Sequence, residues 1–237
     1  MHLLEIEKLV KRFGALTVLD GIDLHLPAKS IHGVIGPNGA GKTTLFDVIT
    51  GMSPADGGSI RLDGTEITRK SIESVAEMGV GRTFQVARVF NEMTLLENMM
   101  VAAHTLPLSR AEARERAFGL LETARLAGLA QQLAIEISGG QKKLLEFVRT
   151  MMADPALVLL DEPFNGINPA LIERLIEIIL ELNRERGTAF LLISHEMPHV
   201  MTLCERVFVL NAGRTIAHGT PAEVRENPAV VEAYLGH

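Results

Sequence analysis

The sequence predicts an α/β protein: a sheet of parallel strands with a helical lobe inserted between two of them. Three observations predict it. Apolar runs at Ile31–Ile35, Ala156–Leu160 and Thr188–Ile193 have the length and texture of strands buried on both faces, and helix patterns alternate with them. Gly36-Pro37-Asn38-Gly39-Ala40-Gly41-Lys42-Thr43-Thr44 is a complete G-x-x-x-x-G-K-[ST] loop between the first run and a helix-like stretch, Thr44–Thr50. From about Val86 to Met152 the chain carries almost no strand signal.

Taken in order, Leu3–Leu9 reads as a half-exposed strand, with Leu4, Ile6 and Lys8 set against Leu3, Glu5 and Glu7. Asp20-Gly21 precedes a second alternating run, Ile22–Leu26, which Pro27 stops. Phe13 lies between them beside Lys11, Arg12 and Gly14, a setting that suits simple packing or a ring stacked on a purine. After the loop, Asp56-Gly57-Gly58 turns into a short strand, Ser59–Leu62, which ends at Asp63-Gly64. Ser71–Met78 reads as a helix, and Gly79–Gln85 as a strand ending in a polar residue.

Thr94-x-x-Glu97 and Ser109-x-x-Glu112 are capping boxes that open helices of the lobe, and Arg110–Arg125 reads as amphipathic with a solvated charged face. The buried run at Ala156–Leu160 ends on Asp161-Glu162-Pro163, and Asn168-Pro169 opens a long helix to about Arg186. Thr188–Ile193 ends at Ser194-His195. Strands at Val207–Leu210 and Thr215–Ala217 flank a turn at Asn211-Ala212-Gly213, and a capping box at Thr220–Glu223 opens a helical tail.

The 237-residue chain suits one large domain with a sizeable core. A 47% apolar and 22% charged composition is that of an ordinary globular protein. The net charge of −6, with no basic block, gives no sign of a nucleic-acid surface. Cys204 is the single cysteine, so an internal disulfide is excluded, and a reduced thiol in a cytoplasmic protein is expected. No apolar stretch reaches the roughly 20 residues of a membrane-spanning helix, so any membrane role is expected to run through a partner.

The chemistry follows from the loop. Its glycines let backbone N–H groups fold around a polyphosphate, Lys42 adds a full positive charge, and the Thr43 hydroxyl is suited to Mg²⁺. A nucleoside triphosphate is therefore the expected ligand. In that setting Asp161 suits the metal, and Glu162 suits proton abstraction from a water that attacks the γ-phosphate. His195 ends a strand expected in the same sheet, on the carboxyl edge where α/β proteins bind ligands. Gln85, a neutral amide, can orient water or touch Mg²⁺. Ser138-Gly139-Gly140-Gln141 opens a helix run with the anatomy of an anion-receiving N-terminus, and equally that of an inter-helix turn.

Gly36–Thr44, Gln85, Ser138–Gln141, Leu159-Leu160-Asp161-Glu162-Pro163 and His195, in this order, resemble the ATP-binding cassette ATPases over essentially the whole chain. The resemblance implies a phosphate-loop core with a mixed or parallel sheet, an N-terminal antiparallel β subdomain and an α-helical lobe. The core would comprise residues 1–85 and 154–237, and the lobe 86–153. It also implies two ATPase copies stacked head to tail, each ATP lying between one phosphate loop and the other copy's Ser138–Gln141. Phe13 is then the adenine-stacking ring, Glu162 the general base, Gln85 the sensor of Mg²⁺ and water, and His195 the γ-phosphate switch.

Two departures stand out: Ile137 replaces the usual Leu, and Asn168 stands where many cassettes carry Asp, which puts the usual cross-dimer contact there in question. Gly79–Gln85, Leu145-Glu146, Gly166–Pro169 and the tail from Gly219-Thr220-Pro221 to Ala233-Tyr234-Leu235-Gly236 resemble the ATPase subunits of branched-chain amino acid importers. That implies a peripheral subunit on the cytoplasmic face of the inner membrane. It would work with a permease and, indirectly, with a periplasmic or extracellular solute-binding protein; related importers carry urea, amides or aromatic acids. Ala217–Pro221 and the Tyr-Leu-Gly tail also resemble the ATPase of lipopolysaccharide export. A non-transport cassette protein lacks support, since long coiled coils and a second cassette are both missing from the sequence, and a small-molecule kinase leaves Ser138–Gln141 and His195 unexplained.

Overall fold

A computed structural model describes residues 2–235. In chain order its elements are β1 (His2–Phe13), β2 (Leu16–Pro27), β3 (Ile31–Ile35), α1 (Lys42–Ile49), β4 (Gly57–Leu62), β5 (Thr65–Glu66), α2 (Ile72–Glu77), β6 (Val80–Arg82), α3 (Leu95–Ala103) and α4 (Arg110–Thr123). There follow α5 (Gly139–Thr150), β7 (Leu157–Asp161), α6 (Pro169–Arg186), β8 (Ala189–Ile193), α7 (Met197–Leu203), β9 (Arg206–Asn211), β10 (Arg214–Gly219), α8 (Pro221–Glu226) and α9 (Pro228–Leu235).

The strands form two sheets. A six-stranded sheet runs β10-β9-β3-β8-β7-β6, parallel from β9 to β6, with β10 antiparallel on its edge. All five residues of β3, β7 and β8 are buried, which explains their mostly apolar character; His32 in β3 and Asp161 at the end of β7 are the buried polar exceptions. A four-stranded antiparallel sheet, β2-β1-β4-β5, packs Leu4, Ile6, Leu9, Leu24 and Leu26 with α1 against Val34, Leu159 and Leu191. The opposite face of the large sheet, through Ile35, Val158, Leu160 and Phe190, packs on α3 to α6.

The sequence alternation in β1 fails at Lys8. That residue takes a left-handed φ of 47° in an irregularity of the β1–β2 pairing, so Leu9 rather than Lys8 turns inward. The strand then continues to Phe13, beyond the Leu3–Leu9 run. Gly79–Gln85 also differs, because pairing with β7 ends at Arg82 and Gln85 lies in irregular backbone. The capping boxes at Thr94, Ser109 and Thr220 all form, as does one at Ser138. Asn168 spends its side chain on capping α6, accepting from the Leu171 N–H at 3.0 Å. Ile137 is buried in the helical core. Gly236, part of the C-terminal resemblance, lies outside the described residues. Among the described residues no helix is long and apolar enough to cross a membrane.

Candidate active site

The central strand β3 delivers the chain to Gly36 at its carboxyl end, and α1 starts at Lys42, so the loop between them can only turn tightly. Gly36 has φ 150°, and a Cβ there would lie 2.0 Å from the Leu210 carbonyl oxygen. At Gly41, φ 102°, a Cβ would lie 2.9 Å from the Val18 carbonyl oxygen, also too close but less severely. Lys42 Nζ donates to the Gly36 and Pro37 carbonyls at 2.7 and 3.0 Å, which holds the loop closed around its own cation. Burial lowers the Lys42 pKa, and the nearby Glu162 and Asp161 carboxylates oppose that shift.

Above the loop lies a cavity of about 390 Å³ lined by Asn38–Thr44, Gln85, Glu162, Val18 and Ile193. The carboxyl ends of β7 and β8 meet there. Glu162 N–H donates to the Ile193 carbonyl at 2.9 Å, and His195 Nδ1 lies 2.8 Å from Glu162 Oε2. Glu162 has φ 49°, a left-handed conformation that a non-glycine residue holds only under local constraint. Lys143 on α5 supplies part of that constraint by donating to the Glu162 carbonyl at 2.9 Å. This arrangement can place a base and an imidazole beside a bound polyphosphate.

Asp161 is buried at the end of β7, with Oδ2 3.3 Å from Arg82 Nη2 and Oδ1 without a hydrogen-bond partner. Burial raises its pKa and Arg82 pulls it back down. A buried carboxylate with one unsatisfied oxygen, an exposed Thr43 hydroxyl and the Gln85 amide are hard oxygen donors of the kind Mg²⁺ takes.

The loop residues Asn38–Thr44, Gln85 and Glu162 are thus brought together, with His195 reaching them through Glu162 and Asp161 ending the neighbouring strand. Two other expected groups stand apart. Phe13 is 53% exposed at the end of β1, with Lys11 Nζ 5.0 Å from its ring centre. Ser138–Gln141 cap α5, where the Ser138 side chain takes the Gln141 N–H, and line no part of the cavity.

Reading residues in sequence misses two groups that shape the site. Glu146 Oε2 and Oε1 accept the Phe84 and Arg88 N–H groups at 3.3 and 2.8 Å and so anchor the loop bearing Gln85. Arg82 ties Asp161 to Asp47 of α1. Both residues fall in stretches that carry the importer resemblance, Gly79–Gln85 and Leu145-Glu146, but no spacing in the sequence tells which backbone or carboxylate partners they meet.

The family profile "ABC transporter" matches residues 19–165, and that of the "Branched-chain amino acid ATP-binding cassette transporter" matches residues 214–237. The chain is 40% identical to the high-affinity branched-chain amino acid transport ATP-binding protein BraF of Pseudomonas aeruginosa, over 99% of this chain and 98% of that protein. It is 39% identical to the corresponding protein LivG of Escherichia coli, with the same coverage. A nucleotide-free ATP-binding cassette from an ABC transporter superposes with a TM-score of 0.91 at 34% identity, covering 100% of both chains.

Proposed function

The chain belongs to the ATP-binding cassette ATPases of ABC transporters, and from that premise we propose that it is the ATP-hydrolysing subunit of an importer for branched-chain amino acids or related small polar solutes such as urea and amides. The observation that carries the chemistry is the Glu162–His195 contact of 2.8 Å, set at the strand ends beside the phosphate loop. In this reading Lys42 and the loop Gly36–Thr44, through its backbone N–H groups (Pro37 has none), bind the phosphates. Glu162 takes the proton of the attacking water, and His195 links Glu162 to the γ-phosphate. Thr43, Asp161 and Gln85 hold Mg²⁺, which when bound neutralises charge on the phosphates. Phe13 stacks on adenine, and Ser138–Gln141 serve the ATP of a second copy or a related ATPase.

Residues 86–153 form the signature lobe in this reading, and the flanking 1–85 and 154–237 the nucleotide-binding core. Coupling to a membrane permease places the chain on the cytoplasmic face of the inner membrane, with a periplasmic or extracellular solute-binding protein acting indirectly. The helical lobe and the stretch after Gln85, with Val86, Val89, Phe90 and Met93, form the docking surface we assign to the permease; Val86, Phe90 and Met93 are exposed, and Met93 also lines a groove with Glu92, Glu97, Met100, Val101 and His104. Lipopolysaccharide export is the weaker reading, because the tail on which it rests lies within the stretch matched by the branched-chain profile.

ATP-dependent dimerisation of Glu162→Gln, followed by light scattering without and then with Mg²⁺, tests the reading. A stable ATP-induced dimer with hydrolysis reduced by roughly 10²–10⁴-fold is expected. ATP-bound monomers throughout would remove the two-copy site, and failure to bind ATP would remove the whole assignment.

A further inference from the structure

Helix α5 carries two charged side chains one turn apart, Lys143 and Glu146, and both reach segments that border the nucleotide cavity. Glu146 accepts the Phe84 and Arg88 N–H groups on either side of Gln85. Lys143 Nζ donates to the Glu162 carbonyl. The helix that bears them is firmly seated. Leu144, Leu145, Phe147 and Val148 are buried, and its start rests directly on α6: a Cβ on Gly140 would lie 2.6 Å from Leu171 Cδ1. Where Lys143 and Glu146 face Thr83, Phe84, Pro163 and Leu175, the seam holds a void of only about 10 Å³, room for one water at most.

Lys143 is committed in an unusual way for a cation in this setting. Burial lowers its pKa, and the carboxylates of Glu146, Glu162, Glu196 and Asp161 oppose that shift. Among the described residues it nevertheless forms an ion pair with none of them, and its charge-assisted bond goes to a main-chain carbonyl.

That carbonyl belongs to a residue whose backbone is left-handed. The other ties on Glu162 come from the strand ends and the turn around it. The Ile193 carbonyl takes its N–H, the Asn165 N–H reaches its carbonyl at 3.3 Å, and His195 meets its side chain. Among the described residues of 86–153, Lys143 alone is hydrogen-bonded to Glu162.

We propose that Lys143 is a positioning residue for hydrolysis: from α5 it fixes the backbone of Glu162 and so aims the Glu162 carboxylate at the attacking water. The proposal rests on the reading of Glu162 as the general base. A cation spent on a carbonyl and a strained residue at the reaction centre account for each other. A side chain on a packed helix holds its partner more precisely than one on a loop. Phosphate binding, which runs through Lys42 and its loop, does not involve Lys143.

The test is steady-state ATPase assays, ATP titration and thermal melts of the full chain carrying Lys143→Met, Lys143→Arg, Glu162→Gln, or Glu162→Gln together with Lys143→Met. Lys143→Met keeps the aliphatic stem and removes the donor. Its kcat should fall by about 10- to 100-fold, the weight of a small misplacement of a reacting group, with ATP affinity and Tm little changed. Lys143→Arg should recover most of the rate. On the Glu162→Gln background, where the base is already gone, Lys143→Met should cost no further rate. An undiminished kcat in Lys143→Met overturns the proposal, as does a further loss of rate on the Glu162→Gln background. A matched fall of Tm, ATP affinity and kcat that Lys143→Arg does not recover overturns it too. If Glu162→Gln hydrolyses ATP as fast as the unaltered chain, the reading of Glu162 as base fails, and this proposal falls with it.

Discussion

Arg82 places Nη2 3.3 Å from Asp161 Oδ2 with both side chains less than one-tenth exposed, and its other terminal nitrogen sits 2.7 Å from Asp47 Oδ1. The guanidinium occupies one oxygen of Asp161 and leaves Oδ1 without a partner. Its charge opposes the upward push that burial gives the Asp161 pKa. Arg82→Met strands the Asp161 carboxylate and is expected to reduce stability by about 3–5 kcal/mol. Arg82→Lys keeps a charge but not the fork that spans Asp47 and Asp161, so its loss should be smaller. Urea unfolding measures both. The Mg²⁺ concentration for half-maximal ATPase should rise in each, and an Arg82→Met loss under about 1 kcal/mol would show that the pair carries little.

His195 contributes a ring nitrogen to Glu162 and nothing structural comparable to that contact: its side chain is 53% exposed. His195→Ala should therefore fold normally while kcat falls by roughly 10²–10⁴-fold, with the KM for ATP changed little. Steady-state ATPase assays against a thermal melt separate the two. A matched loss of Tm and activity would assign His195 a structural part instead.

The buried strands and helix caps were legible because each is written locally. The apolar run Ala156–Leu160 specifies β7, and Thr94 with Glu97 specifies the start of α3 without help from elsewhere. The phosphate loop was legible for the same reason. What escaped depends on distant partners. Gln85 is positioned by Glu146, 62 residues from Phe84 along the chain, and no spacing rule connects them. Arg82 reads as an ordinary strand-end cation until Asp47 and Asp161 are seen on either side of it. The irregularity at Lys8 inverted the expected alternation, since a left-handed residue within a strand leaves no mark in hydrophobic pattern.

At Gly36 the requirement for glycine is steric as well as conformational. A Cβ would stand 2.0 Å from the Leu210 carbonyl oxygen, a backbone atom that no rotamer change can move. Gly36→Ala must shift β9 or the loop, and since the Gly36 carbonyl also receives Lys42 Nζ, the loop gives way together with its cation. A stability loss of about 1–3 kcal/mol is expected. ATP binding, followed by fluorescent-nucleotide titration, should fall more steeply than stability does. Retention of ATP affinity would show that the loop accommodates the methyl group.

The last expectation concerns acid. Burial, with smaller contributions from Arg206 and His2, lowers the His32 pKa from 6.5 to about 4. Between those values the unfolded chain binds a proton that the folded chain refuses, so stability rises with pH in that window. His32's share is complete above pH 6.5 and is lost as pH falls toward 4. A depression of 2.5 units (6.5 − 4) corresponds to about 3 kcal/mol. Urea unfolding of the unaltered chain and of His32→Gln, each at pH 7 and pH 4.5, isolates this share, because every other titratable group is common to both. The unaltered chain should lose about 2–3 kcal/mol more than the variant over that interval. Equal losses would mean that His32 accepts its proton in the folded state at an ordinary pH, and hence that water reaches Nδ1 freely.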